Sequence, residues 1–182
     1  KTGYSFYDLN AKLNFDLGAK DKLYVSGYFG NDALRIKEQV ERTSSTINTN
    51  SGLGWGNATG TLRWNHLFNQ KLFLNTTLAV TDFRFRLFDD FELIRKDGGA
   101  NRSTFTEFTS SIRDYTLKAD FDYFPNNSHQ FKFGALITNH RFKPRAYTKE
   151  NRESNIGESD NQLFNNQEFA AYAEDNYPHQ KF

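Results

Sequence analysis

Cysteine is absent from the 182 residues, which removes disulfides, thiolate metal sites and thiol nucleophiles together. An oxidising compartment is neither indicated nor excluded by that. No run approaches the roughly 18 apolar residues of a helical membrane span, and mean hydropathy is -0.77, so a helical membrane protein is excluded. A transmembrane β-barrel is not, because half of each strand faces a polar lumen and the loops are wet. Net charge is +1, so nothing points to nucleic-acid binding through bulk electrostatics. An exported barrel carries a leader at synthesis, and none stands at Lys1, so the expectation is a mature, truncated or partial chain within a single domain.

What the chain does contain is alternation. In YDLNAKLNFDL, Tyr7, Leu9, Ala11, Leu13, Phe15 and Leu17 alternate with Asp8, Asn10, Lys12, Asn14 and Asp16, and on the return Leu23, Val25, Gly27 and Phe29 alternate with Tyr24, Ser26 and Tyr28. Directly opposed residues of an antiparallel pair share a face. Setting Leu17 against Leu23 and Gly18 against Lys22 therefore predicts a turn of Ala19, Lys20 and Asp21. A second hairpin sets Ala58, Gly60, Leu62, Trp64 and Phe68 against Leu72, Leu74, Thr76, Leu78 and Val80, with Phe68 opposite Leu72 and a turn of Asn69, Gln70 and Lys71. A third sets Tyr115, Leu117, Ala119, Phe121 and Tyr123 against Phe131, Phe133, Ala135 and Ile137, pairing Pro125 with His129 around Asn126, Asn127 and Ser128. Short loops rich in Asn, Asp and Gly suit such tight reversals.

Over residues 31–54, 87–109 and 142–166 the alternation lapses into polar, Gly-, Asn- and Ser-rich sequence. Short turns thus alternate with connections of roughly 20 residues, longer than compact soluble domains usually carry. Transmembrane barrels show this asymmetry, with short periplasmic turns and long extracellular loops. A seventh strand over 168–175, EFAAYAED, has ambiguous parity. Aromatics reach 16%, and Phe15, Trp64, Phe68, Phe121, Tyr123 and Phe131 lie near the short turns, where one aromatic girdle belongs. The fold class predicted is all-β: an antiparallel meander of six to seven long strands, too few to close and so part of a large transmembrane barrel. The membrane-facing set is Leu9, Ala11, Leu13, Phe15, Leu23, Val25, Phe29, Leu62, Trp64, Leu72, Leu74, Leu78, Val80, Leu117, Ala119, Phe121, Tyr123, Phe131, Phe133, Ala135 and Ile137.

Local chemistry is sparse. Asp89, Asp90, Glu92 and Asp97 in FRLFDDFELIRKDGG lack the spacing of an EF-hand loop and read as a solvated acidic segment. Beside them Phe88, Phe91, Arg95 and Lys96 are the candidates for gripping a ligand at the extracellular side. Gly52, Gly54 and Gly56 in GLGWGN lack the spacing and following helix of a phosphate-binding loop, and read as a loop-to-strand transition. His66, His129, His140 and His179 are scattered without metal-ligand spacing. No nucleophile signature such as G-x-S-x-G occurs, so no catalytic residue, metal, cofactor or enzymatic activity is expected. The sequons at Asn57 and Asn75 fall in predicted strands, which argues against glycosylation; Asn101 and Asn126 begin the others. Phe182 is an aromatic end, but NYPHQK before it does not alternate and Pro178 interrupts pairing, so it reads as a truncation point.

The runs YSFYDLNAKLNFDLGAKDKLYVSGYFGND, WGNATGTLRWNHLFNQKLFLNTTLAV, IRDYTLKADFDYFPNNSHQFKFGALITNHRFKP and EFAAYAED resemble the barrel of TonB-dependent outer-membrane receptors. The likeness is greatest to the Bacteroidota type related to the SusC-like transporters, and it covers the strands and short turns. It implies a barrel of about 22 strands around an N-terminal plug, of which this chain would supply roughly a third of the wall. It also implies TonB with its inner-membrane energising complex as partner, outer-membrane lipid around the wall, and a surface-exposed SusD-like lipoprotein as a further partner. The cargo would be a siderophore, a cobalamin, a glycan or a peptide, and no plug-like region or TonB box precedes the first strand. Two other architectures suit the pattern: a small complete outer-membrane barrel serving as anchor or adhesin, and a soluble lipocalin-like barrel with its apolar face inside.

Overall fold

Alternating apolar and polar side chains rich in Phe, Tyr, Leu and Thr suit a pleated ribbon with two differently solvated faces. The computed structural model describes residues 1–126, 128–151 and 156–177, and there the chain forms one antiparallel sheet. The strands are β1 (Thr2–Asp16), β2 (Asp21–Glu41), β3 (Ser45–Asn69), β4 (Leu72–Arg95), β5 (Arg102–Tyr123), β6 (Gln130–Asn151), β7 (Ile156–Asn161) and β8 (Phe164–Asn176). Strands β1 to β6 pair in sequence order, and β7 and β8 both pair with β6, end to end, as one interrupted seventh strand. Among the described residues the sheet is open, with β1 and the β7–β8 line as its edges. Asn127, Pro178, His179 and Phe182 lie outside the described residues.

Two of the three expected ladders are the observed ones. Leu62 pairs with Leu78 and Leu67 with Phe73, the register implied by Phe68 opposite Leu72. The turn itself is tighter: Asn69 pairs with Leu72, because its Oδ1 accepts from Lys71 N at 2.8 Å and Leu72 N at 3.1 Å, and Phe68 is left as a bulge. Tyr123 pairs with Phe131, the register implied by Pro125 and His129, although those two lie outside the strands. Asn126 Oδ1 closes that turn on Ser128 N and His129 N, at 2.9 and 3.0 Å.

The first ladder is corrected by two residues. Phe15, not Leu17, stands opposite Leu23, and Asp21 belongs to β2. Gly18 adopts φ 147°, so it sits in the connection rather than in the ladder, where Gly is the residue that reaches such angles at little cost. A slip of two leaves every side chain on its expected face.

The long connections expected over 31–54, 87–109 and 142–166 are a larger correction. Apart from residues outside the description, most of their length is paired strand: β2 runs to Glu41 and β3 begins at Ser45, while β4 runs to Arg95 and β5 begins at Arg102. The third is paired too, through the end of β6, β7 and the start of β8. The alternation does not lapse there but changes phase. Near the short turns the rows across the sheet read Leu13, Val25, Leu62, Leu78, Leu117, Ile137 and Phe169 on one side, here the leucine face. Toward the other end the apolar rows stand on the opposite face. One reads Tyr4, Leu34, Leu53, Leu87, Phe108 and Tyr147, and another Phe6, Asp32, Trp55 and Phe85. Backbone pairing continues through the inversion because ladder hydrogen bonds do not depend on which face is wet.

All of the predicted membrane-facing residues fall on the leucine face, and Phe169, Ala171 and Ala173 set the parity of the seventh strand. That face packs against nothing: Leu13, Leu62, Leu78, Leu117 and Phe133 are all exposed, and Leu74 is the buried hydrophobic side chain among the described residues. At the loop end of β6, Pro144 and Arg145 together oppose Ser110, whose Oγ donates to Lys143 O at 3.1 Å. Proline has no N–H for a ladder, which places the bulge there.

On the opposite face Tyr172 reaches over Gly134 to donate to Asp120 Oδ1 at 2.7 Å. A Cβ on Gly134 would lie 2.6 Å from Ala119 O and 2.8 Å from the Tyr172 ring, whereas one on Gly60 would meet nothing within 4 Å. Gly134→Ala is expected to cost about 1–3 kcal/mol and Gly60→Ala less than about 0.5. Thermal unfolding of the full-length protein in detergent checks this, and equal midpoints for the two variants would refute it.

Candidate functional site

Above the phase inversion, β3 presents Gly52, Gly54 and Gly56 to the leucine face. A strand without side chains on one side leaves a trough between its neighbours. Asn31, Ala33 and Arg35 of β2 form one wall, and Arg84, Arg86 and Phe88 of β4 form the other. The resulting groove has a volume of about 540 Å³ and extends past Ser111 to Lys143 on β6. Side chains cover the glycine floor at both ends. A Cβ on Gly56 would sit 3.0 Å from Asn31 Oδ1, and the Phe88 ring already lies across Gly52.

The walls are charged. Asp82 accepts from Arg84 Nε at 2.6 Å and from Arg113 Nε at 2.5 Å, and Arg86 Nε donates to Glu107 at 2.5 Å. Burial pushes the Asp82 carboxyl up, but the hydrogen bonds and charges of Arg84 and Arg113 outweigh it and hold the pKa below the usual carboxylate value. Asp82 raises the Arg113 pKa in return. The guanidinium groups of Arg86 and Arg35 lie 4.9 and 5.7 Å from the centre of the Phe88 ring, within cation–π range. Arg35 and Lys143 have no carboxylate partner among the described residues. With Asp32 and Asp82 set against Arg35, Arg84, Arg86 and Lys143 among the lining residues, the groove is net positive.

Of the four ligand candidates, only Phe88 is in this groove. Phe91 stands on the opposite face of β4, paired with Thr104. Arg95 and Lys96 are at the tip of the β4–β5 hairpin. Arg95 is 3.7 Å from Asp97, and Lys96 is 3.8 Å from Glu41, with its backbone N–H donating to Ser44 O at 2.9 Å. These contacts tie two hairpin tips together, so the four residues do not converge. Asp89 and Asp90 likewise stand on opposite faces, and Asp89 accepts from Ser51 Oγ at 2.5 Å. Gly52, Gly54 and Gly56 lie in mid-strand rather than at a loop-to-strand transition. His66, His129 and His140 each meet a carboxylate, Asp21, Asp175 and Asp114 respectively.

No motif marks Arg35, Arg84, Arg86, Asp82 or Lys143. The available signal was the alternation FRFRL, residues 83–87, running one residue out of phase with LFLNTTLAV before it.

No family model and no curated protein matches the chain. Among solved structures it is similar to the ferric yersiniabactin uptake receptor FyuA from Yersinia pestis, with a TM-score of 0.67 and 8% sequence identity. The similarity covers 98% of this chain and 26% of that one, so the chain spans about a quarter of the receptor's length. At this identity the likeness is one of fold: an all-β antiparallel meander resembling a barrel segment of a TonB-dependent receptor.

Because the Asp82 pKa is depressed in the folded chain, the stability it contributes is complete above the ordinary carboxylate pKa of about 3.9 and is lost as pH falls through the lower folded value. Asp82→Asn should therefore be less stable than the parent near pH 7, and the gap should close on acidification. Unfolding midpoints across that range test it; a gap that does not change with pH would contradict the ion-pair account.

Proposed function

We propose that the chain is one arc of the transmembrane wall of an outer-membrane receptor for TonB-dependent nutrient uptake, of the Bacteroidota type related to the SusC-like transporters. The observation that carries this is the height of the apolar band on the leucine face. On β4 it runs over residues 72–80 and ends at Asp82, and on β5 over 115–123, bounded by Arg113. A tilted transmembrane strand needs about 9 to 11 residues. A strand of this type meets lipid over that stretch and water beyond it, which is where the leucine face turns polar. The 24 residues of β4 are more than a bilayer requires, so the loop-side half projects into the medium as a wall above the membrane.

Aromatic residues lie along the turn-side margin of the band. Phe121 stacks on Phe133 at 5.0 Å, and Trp64 Nε1 donates to Asp21 at 2.9 Å, the amphipathic arrangement of an interfacial girdle. Inside the barrel of the full protein, the loop-side rows with Trp55, Phe85, Leu87 and Phe108 would line the mouth. The cargo class in this reading is a siderophore, a cobalamin, a glycan or a peptide, and the wall carries out no covalent chemistry. TonB would act on a plug held by the complete barrel, and a SusD-like lipoprotein would meet its outer rim.

Orientation gives the first test. With no native cysteine in this chain, Asp97→Cys at a loop-side tip and Gln70→Cys at a short turn can each be introduced into the full-length protein. An impermeant maleimide on intact cells should label the first and spare the second, and equal labelling would refute the assignment. A charge scan gives the second test. Leu78→Arg should cost about 2 to 4 kcal/mol of folding into phosphatidylcholine vesicles, and the neighbouring Thr77→Arg, on the opposite face, much less. Similar costs at both positions would mean that the leucine face does not meet lipid.

A further inference from the structure

We infer that a polar hollow on the leucine face, farther from the apolar band than the basic groove, binds a neutral saccharide chain. This rests on the membrane reading above and adds a ligand on the outside of the wall, apart from the cargo route through the barrel.

Register builds the hollow. Lys37, Asn50 and Asp90 form one row across β2, β3 and β4, and Gln39, Asn48 and Glu92 form the next, with all six on the leucine face. The space they border is about 610 Å³, within the roughly 300 to 1,000 Å³ of small-ligand sites. Along β4, Asp90 stands ten residues and Glu92 twelve residues beyond Val80, the last apolar residue of the band. At a rise of about 3.3 Å per residue and a tilt of about 45°, these are heights of roughly 23 and 28 Å. The headgroup layer is roughly 5 to 8 Å deep, so the hollow faces water and a soluble ligand meets no competition from lipid.

Chemistry selects the ligand. Asn48 Nδ2 donates to Glu92 Oε2 at 2.9 Å, which orients the amide and the carboxylate of the second row. Asn50 is half-buried, and its Oδ1 has no hydrogen-bond partner, an acceptor whose cost is relieved once a donor reaches it. Among the described residues the Gln39 amide makes no hydrogen bond and Lys37 has no carboxylate partner. The Lys37 ammonium disfavours a metal cation, and the carboxylates of Asp90 and Glu92 disfavour phosphate or sulfate. None of the described lining residues is apolar, so a protein segment finds no aromatic or aliphatic anchor. An uncharged ligand that both donates and accepts remains. Sugar hydroxyls do both, and adjacent pairs of them match side-chain amides and carboxylates.

The test uses full-length protein in lauryldimethylamine oxide, a detergent without a sugar headgroup, with binding measured by saturation-transfer NMR and by retention on immobilised polysaccharide. The probes are dextran, yeast mannan and the producing cell's own surface polysaccharide freed of lipid. Wild type should bind, and Asn50→Ala/Gln39→Ala, which breaks no described hydrogen bond, should bind at least about tenfold more weakly. Asn65→Ala, which removes another unpartnered amide oxygen on the opposite face, should bind as wild type does. Unchanged binding by the double variant, or no binding of any probe by wild type, would overturn the site. Tighter binding of dextran sulfate than of dextran, or calcium binding that the double variant loses, would overturn the neutral-saccharide assignment. Binding of the cell's own polysaccharide alone would support contact with the surrounding coat, and binding of dextran or mannan would support capture from outside. On intact cells Gln39→Cys should react with an impermeant maleimide; no reaction, with saccharide binding in detergent intact, would overturn the membrane reading and not the site.

Discussion

The structure depends on an antiparallel ladder that continues at constant parity over very long strands. Each residue's face follows from its position in the pleat, and a neighbour's face follows from the register, so one pair such as Leu62 and Leu78 determines the orientation of every residue on both strands between bulges. Nothing else organises this chain. Among the described residues there is no second layer and hardly a buried hydrophobic side chain, so the usual burial term of a globular core is missing there. In the reading proposed above, what would be a core in a soluble domain is a surface that meets an apolar medium. That is the physical content of the barrel reading: exposed Leu13, Leu78 and Leu117 are tolerable in lipid and an aggregation hazard in water.

Departures from the expected pairing are few and each has a local cause. Gly18 leaves the first ladder through its backbone angle, Asn69 draws two N–H groups into a tight turn, and Pro144 removes a donor and creates a bulge. All three lie near strand ends or at the loop-side part of β6. The middle of the sheet carries no shift on β1–β2, β2–β3 or β4–β5, and that regularity keeps the apolar band level from one strand to the next.

The change of phase between the two halves is what gives the wall different environments along its height. Near the short turns the leucine face is apolar and the opposite face holds Lys12, Arg63 and Lys118. Beyond Asp82 the polarity of both faces reverses, and the same pleat then presents Arg84 and Arg86 outward from β4 while Phe83, Phe85 and Leu87 turn to the other side. Charge is thereby concentrated just past the apolar band, on the side where band and groove adjoin. The basic groove and the aromatic rows behind it are two consequences of the same one-residue offset.

Local sequence was sufficient for the turn-side halves of the strands, the places of the three short turns, the shared apolar face and two of the three ladders, because period-two alternation and Asn- or Gly-rich reversals are properties of neighbouring residues. It misjudged the segments 31–54, 87–109 and 142–166, because a change of phase and an end of strand look the same to a search for continuous alternation. Lys143, Arg84 and Arg35 are distant in sequence, as are Gly54 and the walls on either side of it. Only the cross-strand register of β2 through β6 brings them to one groove. The sequence by itself determined which residues alternate; the tertiary ladder decided which of them meet, since contacts between strands depend on pairing partners that no local pattern specifies.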